Sequence, residues 1–486
     1  MPGPIPLSYS TSSTEYFERI RSLGGAWLLD SGKPDSERGR FDILVAQPAF
    51  RVRYAQGATQ ILAGTANEAW SINEHNTRFT QTHPELAQLL HHYSETSLSA
   101  TKPFNLLKSL YLLLAQRQST HEEIPFYSGF VGYFGYDLGR TLETLPQHAA
   151  NELHIPDMEV GYYQWAIIVD HEKQKASLVA HDQFPESSLK QLADLICSSD
   201  NKSKSIRFKI TQAFASNTQE DQYHQRLKQI NEYIHAGDCY QVNFAHRFRA
   251  EYEGDPWQGY KTLRAAAPTP FSAYHDTDRG AILSLSPERF VMCDETGKVT
   301  TQPIKGTRPR DNNPEIDNAY INDLITSEKD RAENVMIVDL LRNDISKTCI
   351  AGSVKAQKLF DVEHYKNVHH LVSTVIGQLQ PQQTPIDLLE HCFPGGSITG
   401  APKIRAMEII DELESHRRHI YCGSIGYICN SGRMDTSITI RTLLAEDNAM
   451  YTWAGGGIVA DSVSSAEYQE TFDKINNLLK ALETDA

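Results

Sequence analysis

The stretch TTQPIKGTRPRDNNPEIDNAYINDLITSEKDRAENVMIVDLLRND, residues 300–344, joins a short apolar run to a long acidic segment. Residues 299–304 alternate loosely and include β-branched side chains, which predicts a strand, and the Gly-Thr pair that follows Lys305 predicts a turn out of it. Lys305 is therefore expected where the strand meets a loop. Most lysines at such positions are solvated, but a lysine becomes a nucleophile where desolvation or a neighbouring cation favours its neutral amine.

Two acidic pairs are expected on helices. Residues 322–341 have apolar side chains near helical spacing and are predicted to form one helix, on which Asp330 and Glu333 share a face. Glu467 and Glu470 have the same spacing at the start of a predicted final helix. Charged helix faces are usually only solvated, but together the pairs offer the oxygen ligands that Mg²⁺ prefers. A di-iron site would require Glu-x-x-His pairs, and neither helix has one.

The composition argues against several classes of function. The net charge of -15, without a basic patch that contains aromatic residues, argues against nucleic acid as a partner. The chain shows no secretory leader pattern and no long apolar run, which predicts a cytosolic protein with no membrane contact. The seven cysteines include no C-x-x-C pair, which fits reduced thiols and argues against a cysteine zinc site.

The polar run SSDNKSKS, residues 198–205, has the composition of an exposed connector. We therefore predict an N-terminal region over residues 1–197, a linker over residues 198–218 and a catalytic region over residues 219–486. The catalytic region begins with a helix over about 219–236 and continues as strands, helices and glycine-rich loops.

Two glycine-rich segments are candidate ligand contacts. FPGGSITGAPK, residues 393–403, leads into a helix whose free N–H groups attract an anion. Ala401 and Pro402 stand where a P-loop requires Lys and Ser or Thr, so nucleotide binding is not predicted. The GGG run at 455–457 lacks the third spaced glycine of a dinucleotide site; it is either a tight turn or a place where backbone amides approach a ligand.

Glu288, His370 and Arg441 each allow a structural and a functional interpretation. Glu288 follows a proline at the end of a predicted strand, where it is either a surface glutamate or a partly buried general acid. His370 and Arg441 have apolar neighbours, which fits a hydrogen-bonded core histidine and an ion-paired arginine. An arginine is also the natural bidentate clamp for a carboxylate.

Taken together, the motifs resemble the chorismate-utilising enzymes. The segments that carry the resemblance are GDCYQVNF, LSPERF, PIKGTRPR, EKDRAENVMIVDLLRND, HHLVSTV, FPGGSITGAPKIRAMEII, TSITIRT and AGGGIVADS followed by EYQETFDK. Family members that form anthranilate usually have alanine in a PIAGT motif, whereas members that aminate chorismate and keep its pyruvyl group typically have the lysine of PIKGT, here Lys305. The resemblance implies a large α/β (α+β) fold, a sandwich of two antiparallel β-sheets with helices outside and strands from both sequence halves.

The resemblance also implies an activity, a cofactor and a site. Chorismate and ammonia would give 4-amino-4-deoxychorismate for p-aminobenzoate and folate synthesis, with Mg²⁺ as cofactor. Lys305 would form a covalent intermediate, Glu288 would protonate the leaving hydroxyl, and His370 would lie near the substrate. The implied metal ligands are Glu333 and Glu470, supported by Asp330, where relatives often have glutamate, and Glu467. The implied substrate contacts are Gln241, Thr307, Ser397, Thr399, Tyr421, Arg441, Gly456, Gly457 and Lys474.

Further expectations concern the nucleophile, the partner and regulation. Gln241 stands where relatives that use water have a water-activating lysine, which argues against water as nucleophile. The chain contains no recognisable glutaminase motif, which implies a separate glutamine amidotransferase subunit as the source of ammonia. AWLLDSG resembles a tryptophan-binding element, which places a tryptophan site at Leu29, Asp30 and Ser31. The alternatives are an anthranilate synthase component I, which would release pyruvate, and a non-catalytic regulatory subunit that binds chorismate or tryptophan.

Overall fold

The computed structural model describes residues 3–36, 39–63, 84–95, 102–115, 123–198, 206–364 and 368–484. Within them, two antiparallel sheets of 12 and 11 strands form the centre of the protein. Helices pack on the outer faces of both sheets. The sandwich with outer helices that the family resemblance implies is confirmed.

The strands are numbered here in chain order. They are β1 Ile5–Leu7, β2 Trp27–Asp30, β3 Phe41–Val45, β4 Phe50–Ala55, β5 Ala58–Ala63, β6 Gly129–Phe134, β7 Met158–Tyr163, β8 Trp165–Asp170, β9 Lys175–Ala180, β10 Lys209–Ser216, β11 Gln241–Glu253, β12 Phe271–Thr277, β13 Gly280–Ser286, β14 Arg289–Cys293, β15 Lys298–Thr301, β16 Ile304–Pro309, β17 Lys355–His364, β18 Val368–Gln378, β19 Gly400–Ala401, β20 Ser424–Cys429, β21 Met434–Ile438, β22 Thr442–Glu446 and β23 Ala449–Ile458. The larger sheet has the order β1-β9-β8-β3-β2-β12-β13-β22-β23-β11-β10, with β19 beside β11, and the smaller sheet has the order β16-β18-β15-β14-β21-β20-β6-β7-β4-β5, with β17 beside β18.

The α-helices are also numbered in chain order. They are α1 Thr14–Ile20, α2 Pro84–Glu95, α3 Pro103–Leu114, α4 Glu186–Cys197, α5 Glu220–Ala236, α6 Pro256–Ala266, α7 Pro314–Thr326, α8 Glu328–Ser346, α9 Pro385–Cys392, α10 Lys403–Leu413 and α11 Ser464–Thr484. Short 3₁₀ turns occupy Arg21–Leu23, Tyr136–Thr141 and Gly396–Ile398.

The side chains of each strand point alternately to the two faces of its sheet, and this divides the core into layers. On β2, Trp27 belongs to a buried cluster that includes Val131 and Ile425 of the other sheet. Its neighbour Leu28 belongs to a second cluster that includes Phe17 of α1. Because successive strand residues point to opposite faces, one strand serves both the interior between the sheets and the interface with the helices.

Strands from both halves of the chain mix within each sheet. In the larger sheet β2 pairs with β12, and in the smaller sheet β6 pairs with β20. The predicted linker is wrong over residues 209–216, because these form β10, which pairs with β11. Its core, residues 199–205, lies outside the described residues. The boundaries of the two predicted regions therefore stay a prediction.

The acidic segment forms two helices, so the single helix predicted over residues 322–341 is wrong. Ser327 has an extended backbone, with φ -61° and ψ 108°, and separates α7 from α8. Its hydroxyl accepts the N–H of Asp330 at 3.2 Å, which is an N-cap interaction. Asp330 and Glu333 consequently lie near the start of α8, where the free N–H groups favour negative charge.

Lys305 lies inside a strand, which corrects its predicted place at a strand end. It belongs to β16, whose pairing with β18 shifts register between Ile304 and Thr307. Such a bulge re-aims side chains and bends the strand. Gly306 has φ +84°, and a Cβ there would lie 3.0 Å from the carboxyl carbon of Asp330, so glycine lets β16 approach α8 closely.

The glycines at 455–457 lie in the middle of β23, so the tight turn considered from the sequence is wrong. A Cβ on Gly457 would lie 2.1 Å from the amide nitrogen of Gln241, which shows how closely β23 packs on its neighbour. Within the described part of the chain, no helix combines the length and the apolar character needed to cross a bilayer. The cytosolic location stays a prediction.

Candidate active site

A cavity of about 710 Å³ contains most of the residues predicted for the site. Its walls come from β11 and β23 of the larger sheet, from β16 and β18 of the smaller sheet, and from the first turns of α8 and α11. The 3₁₀ turn at Gly396–Ile398 closes one side. Chain segments that are far apart in sequence therefore meet in one space large enough for a small ligand.

Lys305 and Glu288 are connected through Ser397. The Lys305 amine donates to the carbonyl oxygen of Ser397 at 3.3 Å, and the Ser397 hydroxyl donates to Glu288 at 3.0 Å. Glu288 lies in the connection between β13 and β14, where the sequence places it, and is 6% exposed. Burial raises the pKa of its carboxyl from 4.5 to about 6, although the Lys305 charge opposes that rise. A carboxyl of this kind can carry a proton near neutral pH.

The four predicted metal ligands line this cavity from two helices. Asp330 and Glu333 come from α8, and Glu467 and Glu470 come from α11. Gly456, on β23, faces α11, since a Cβ there would be 3.2 Å from an oxygen of Glu467 and 3.7 Å from one of Glu470. Absence of a side chain at this position leaves room for both carboxylates.

Basic side chains hold three of these carboxylates. Arg308 donates to Asp330 at 3.0 Å, Lys474 to Glu470 at 2.7 Å and Lys329 to Glu467 at 3.4 Å. Among the described residues, Glu333 makes no such ion pair. Burial raises the pKa of Glu333, and the nearby charges of Lys305 and Lys329 oppose the rise. Burial would also raise the pKa of Glu470, but Lys474, Lys329 and Lys305 together lower it below its usual value.

The carboxylates do not converge on one point. Among the described residues, three potential ligand atoms lie within 4.8 Å of one another only at His154, Glu446 and Asp447, which are outside this cavity. The chemistry of the site nevertheless fits a hard cation such as Mg²⁺, because hard oxygen donors from two helices face one cavity. The basic side chains that pair with these carboxylates already neutralise part of the negative charge that such an ion would otherwise neutralise.

Other cavity residues are suited to an anionic organic ligand. Arg441 makes no side-chain ion pair within the described residues, and burial lowers its pKa. It has φ +52°, and its carbonyl accepts the N–H of Leu285 at 3.0 Å, which fixes the chain at this point. The hydroxyl of Thr307 lies 2.8 Å from Nδ1 of His370. Tyr421 stacks against Trp453 with ring centres 6.1 Å apart, and both line the cavity.

Two predicted substrate contacts lie behind the cavity wall. Gln241 is fully buried, its amide has no hydrogen-bond partner among the described residues, and it lies beside Gly457. The Thr399 hydroxyl donates to the Gly395 carbonyl at 3.0 Å, so it supports the loop. Ser397, Gly457 and Lys474 line the cavity itself.

Leu29, Asp30 and Ser31 line a second cavity of about 550 Å³ between the two sheets. The Asp30 carboxylate accepts from Arg264 at 2.5 Å and from Tyr260 at 3.0 Å. The Ser31 hydroxyl donates to Asp42 at 2.6 Å. Asp30 and Ser31 therefore shape this cavity through polar side chains that already have protein partners.

Sequence reasoning missed several residues of the cavity that contains Lys305. Lys329, Asn243 and Trp453 all line it. Lys329 directly precedes Asp330, so its position beside the acidic pairs was a usable signal. Asn243 and Trp453 carry no such signal, because only the pairing of β11 with β23 brings them to the wall.

The fold is that of a chorismate-binding enzyme. The family described as chorismate binding enzyme matches residues 47–480, and the chain belongs to that family. Aminodeoxychorismate synthase component 1 of Escherichia coli (strain K12) is 46% identical over 483 residues, which cover 99% of each chain. The protein of that name from Salmonella typhimurium is 46% identical over 484 residues, covering 99% of this chain and 98% of its own.

A solved structure extends the comparison. Anthranilate synthase component I from Streptococcus pneumoniae is 31% identical, with a TM-score of 0.74, over 91% of this chain and 92% of its own. The chain is thus similar, over at least 91% of its length, both to aminodeoxychorismate synthase component 1 and to anthranilate synthase component I.

Proposed function

We propose that this chain is the component of an aminodeoxychorismate synthase that converts chorismate and ammonia to 4-amino-4-deoxychorismate. The observation that carries the proposal is the Lys305 amine, which faces the same cavity as the buried Glu288 and is connected to it through Ser397. Full-length relatives named aminodeoxychorismate synthase component 1 support the same reaction.

The proposed chemistry has two substitutions. The neutral Lys305 amine attacks C2 of chorismate while the C4 hydroxyl leaves, and Glu288 supplies the proton with which it departs as water. Ammonia then forms a bond to C4 while the bond between C2 and Lys305 breaks, which restores the lysine amine. The new ammonium group at C4 gives one proton back to Glu288. One difficult substitution is divided into two easier steps. The enolpyruvyl group stays on the ring, which distinguishes this reaction from anthranilate formation.

We propose that Glu333 and Glu470 hold Mg²⁺, with Asp330 and Glu467 in support. When bound, Mg²⁺ would neutralise carboxylate charge and accept oxygen atoms of the substrate. The carboxylates on α8 and α11 provide oxygen donors, and glycine at 456 leaves space for them. Arg308 and Lys474 hold Asp330 and Glu470 in place, since each donates a short ion-pair contact.

We propose that the other side chains of the cavity wall orient the substrate. Arg441 offers a guanidinium that makes no ion pair within the described residues, which suits a substrate carboxylate. Tyr421, Thr307 and Lys474 offer further donors, and the hydroxyl of Thr307 also contacts His370. Gln241 stands where relatives that activate water have lysine, so ammonia is the proposed nucleophile.

The ammonia is proposed to come from a separate glutamine amidotransferase subunit, in the cytosol. Free ammonium can replace that subunit in a test. We expect the purified chain to consume chorismate only when both Mg²⁺ and ammonium are present. Liquid chromatography measures the consumption as the loss of the chorismate peak. No consumption under any of these conditions would favour the non-catalytic regulatory subunit.

Replacing the buried acid will change the pH dependence of stability. Because the folded chain raises the pKa of Glu288 from 4.5 to about 6, its stabilising contribution is fully present below 4.5 and is lost as pH rises through about 6. Between about pH 5 and about pH 8, the unfolding free energy of the unmodified chain should fall by about 1 kcal/mol relative to Glu288→Gln. Urea unfolding of both proteins at both pH values measures this difference, and parallel pH profiles would contradict it.

We also propose that tryptophan binds in the second cavity, whose size suits one amino acid. L-tryptophan should then raise the melting temperature of the unmodified chain by about 2 °C or more at saturation. Ser31→Ala should reduce that shift, since it removes a hydroxyl that fixes the cavity wall through Asp42. Thermal unfolding with and without tryptophan is the measurement. The absence of any shift in the unmodified chain would contradict the proposal.

A further inference from the structure

The three basic side chains at the acidic cluster are anchored to different degrees. Lys474 also donates to the Gly455 carbonyl at 2.8 Å. Arg308 also donates to Asp323 at 2.5 Å and to the Thr307 carbonyl at 3.0 Å. The contact between Lys329 and Glu467 is the longest of the three ion pairs, at 3.4 Å, and the Lys329 side chain is 49% exposed. Lys329 is therefore the cation that can most easily leave for solvent.

Lys329 nevertheless lies in the field of several carboxylates. Its amine contacts Glu467, and its side chain lines the same cavity as Glu333 and Glu470. Glu467 is 3% exposed and also accepts from the Ser462 hydroxyl at 2.7 Å. A buried carboxylate of this kind requires a positive partner when no metal is bound.

We propose that Lys329 is a built-in counter-ion of the metal site, which holds Glu467 in the metal-free enzyme and moves out to solvent when a divalent cation binds. This rests on the proposed function, because it assumes that these carboxylates bind the metal. Two positive groups beside one carboxylate repel each other, so Lys329 weakens metal affinity while it stabilises the metal-free chain. Its long and exposed side chain lets it swing outward without a change in the backbone.

The test measures binding of Mg²⁺ alone to the chain without chorismate, by isothermal titration calorimetry. Lys329→Met keeps much of the aliphatic stem and removes the charge, and we expect it to bind Mg²⁺ about fivefold to tenfold more tightly. We also expect the rise in melting temperature on adding Mg²⁺ to be larger for this variant. Lys329→Arg keeps the charge and should bind within about twofold of the unmodified chain.

Lys347, at the opposite end of α8, provides a matched control. It is 46% exposed and contacts the buried Asp344 at 3.4 Å, so its setting resembles that of Lys329, but it does not line the cavity. Lys347→Met should leave Mg²⁺ affinity unchanged. Unchanged or weaker binding by Lys329→Met, with normal binding by the unmodified chain, would overturn the counter-ion role alone. Absence of binding by both would instead overturn the proposed metal site and this inference with it.

Discussion

Lys305→Ala is expected to lower kcat for the amination of chorismate by about 1,000-fold or more. A loss of this size is typical when a group that acts in the transition state is removed. The reason is geometric: the bulge in β16 directs this amine into the cavity that also contains Glu288. Without the amine, the ring cannot be held covalently and ammonia must displace the hydroxyl directly. Steady-state turnover of chorismate with Mg²⁺ and saturating ammonium measures the loss.

Lys305→Arg is the matched variant, because it keeps a positive charge in the cavity but offers no neutral amine. We expect it to be nearly as inactive as Lys305→Ala while it keeps chorismate binding. If Lys305→Ala retained activity within about tenfold of the unmodified chain, the nucleophilic role would be wrong. If only the arginine variant were active, Lys305 would serve as a charge and not as a nucleophile.

Glu333→Gln and Glu470→Gln are expected to lower activity at limiting Mg²⁺ by at least about 100-fold, more than is typical of removing a group that only orients a metal ligand. Each change removes one carboxylate charge from the cavity that we propose binds a cation and a dianion together. The measurement is turnover as a function of Mg²⁺ concentration. The loss should shrink as Mg²⁺ increases if the glutamine still coordinates weakly.

Glu328→Gln is the control for these variants. Glu328 begins α8, is exposed and does not line the cavity, so its loss of charge should leave the Mg²⁺ dependence unchanged. Equal losses in Glu328→Gln and Glu333→Gln would show that general helix charge, and not a metal site, causes the effect.

Much of the fold and of the site composition could be predicted because the chemistry is carried by long motifs. The position of Glu288 between two strands and the start of the last helix at Ser464 follow from local signals, namely a proline and a helical period. The two-sheet sandwich came from the family resemblance, since no local pattern states which strands pair.

What could not be predicted depends on competition between local and distant interactions. Apolar periodicity runs across Ser327, but the cap that this serine forms ends one helix and begins another. The bulge at Lys305 depends on the pairing of β16 with β18, and β18 lies far from β16 in the sequence. The contact joins Lys329 on α8 to Glu467 on α11, two residues that are 138 positions apart in sequence, a separation that no spacing rule covers.

The most direct measurement is identification of the products formed from chorismate, Mg²⁺ and ammonium, with pyruvate assayed in the same reaction. The proposed function predicts 4-amino-4-deoxychorismate by mass spectrometry and no release of pyruvate. Anthranilate together with an equal amount of pyruvate would contradict it, and would show that Lys305 does not separate the two reactions of this family.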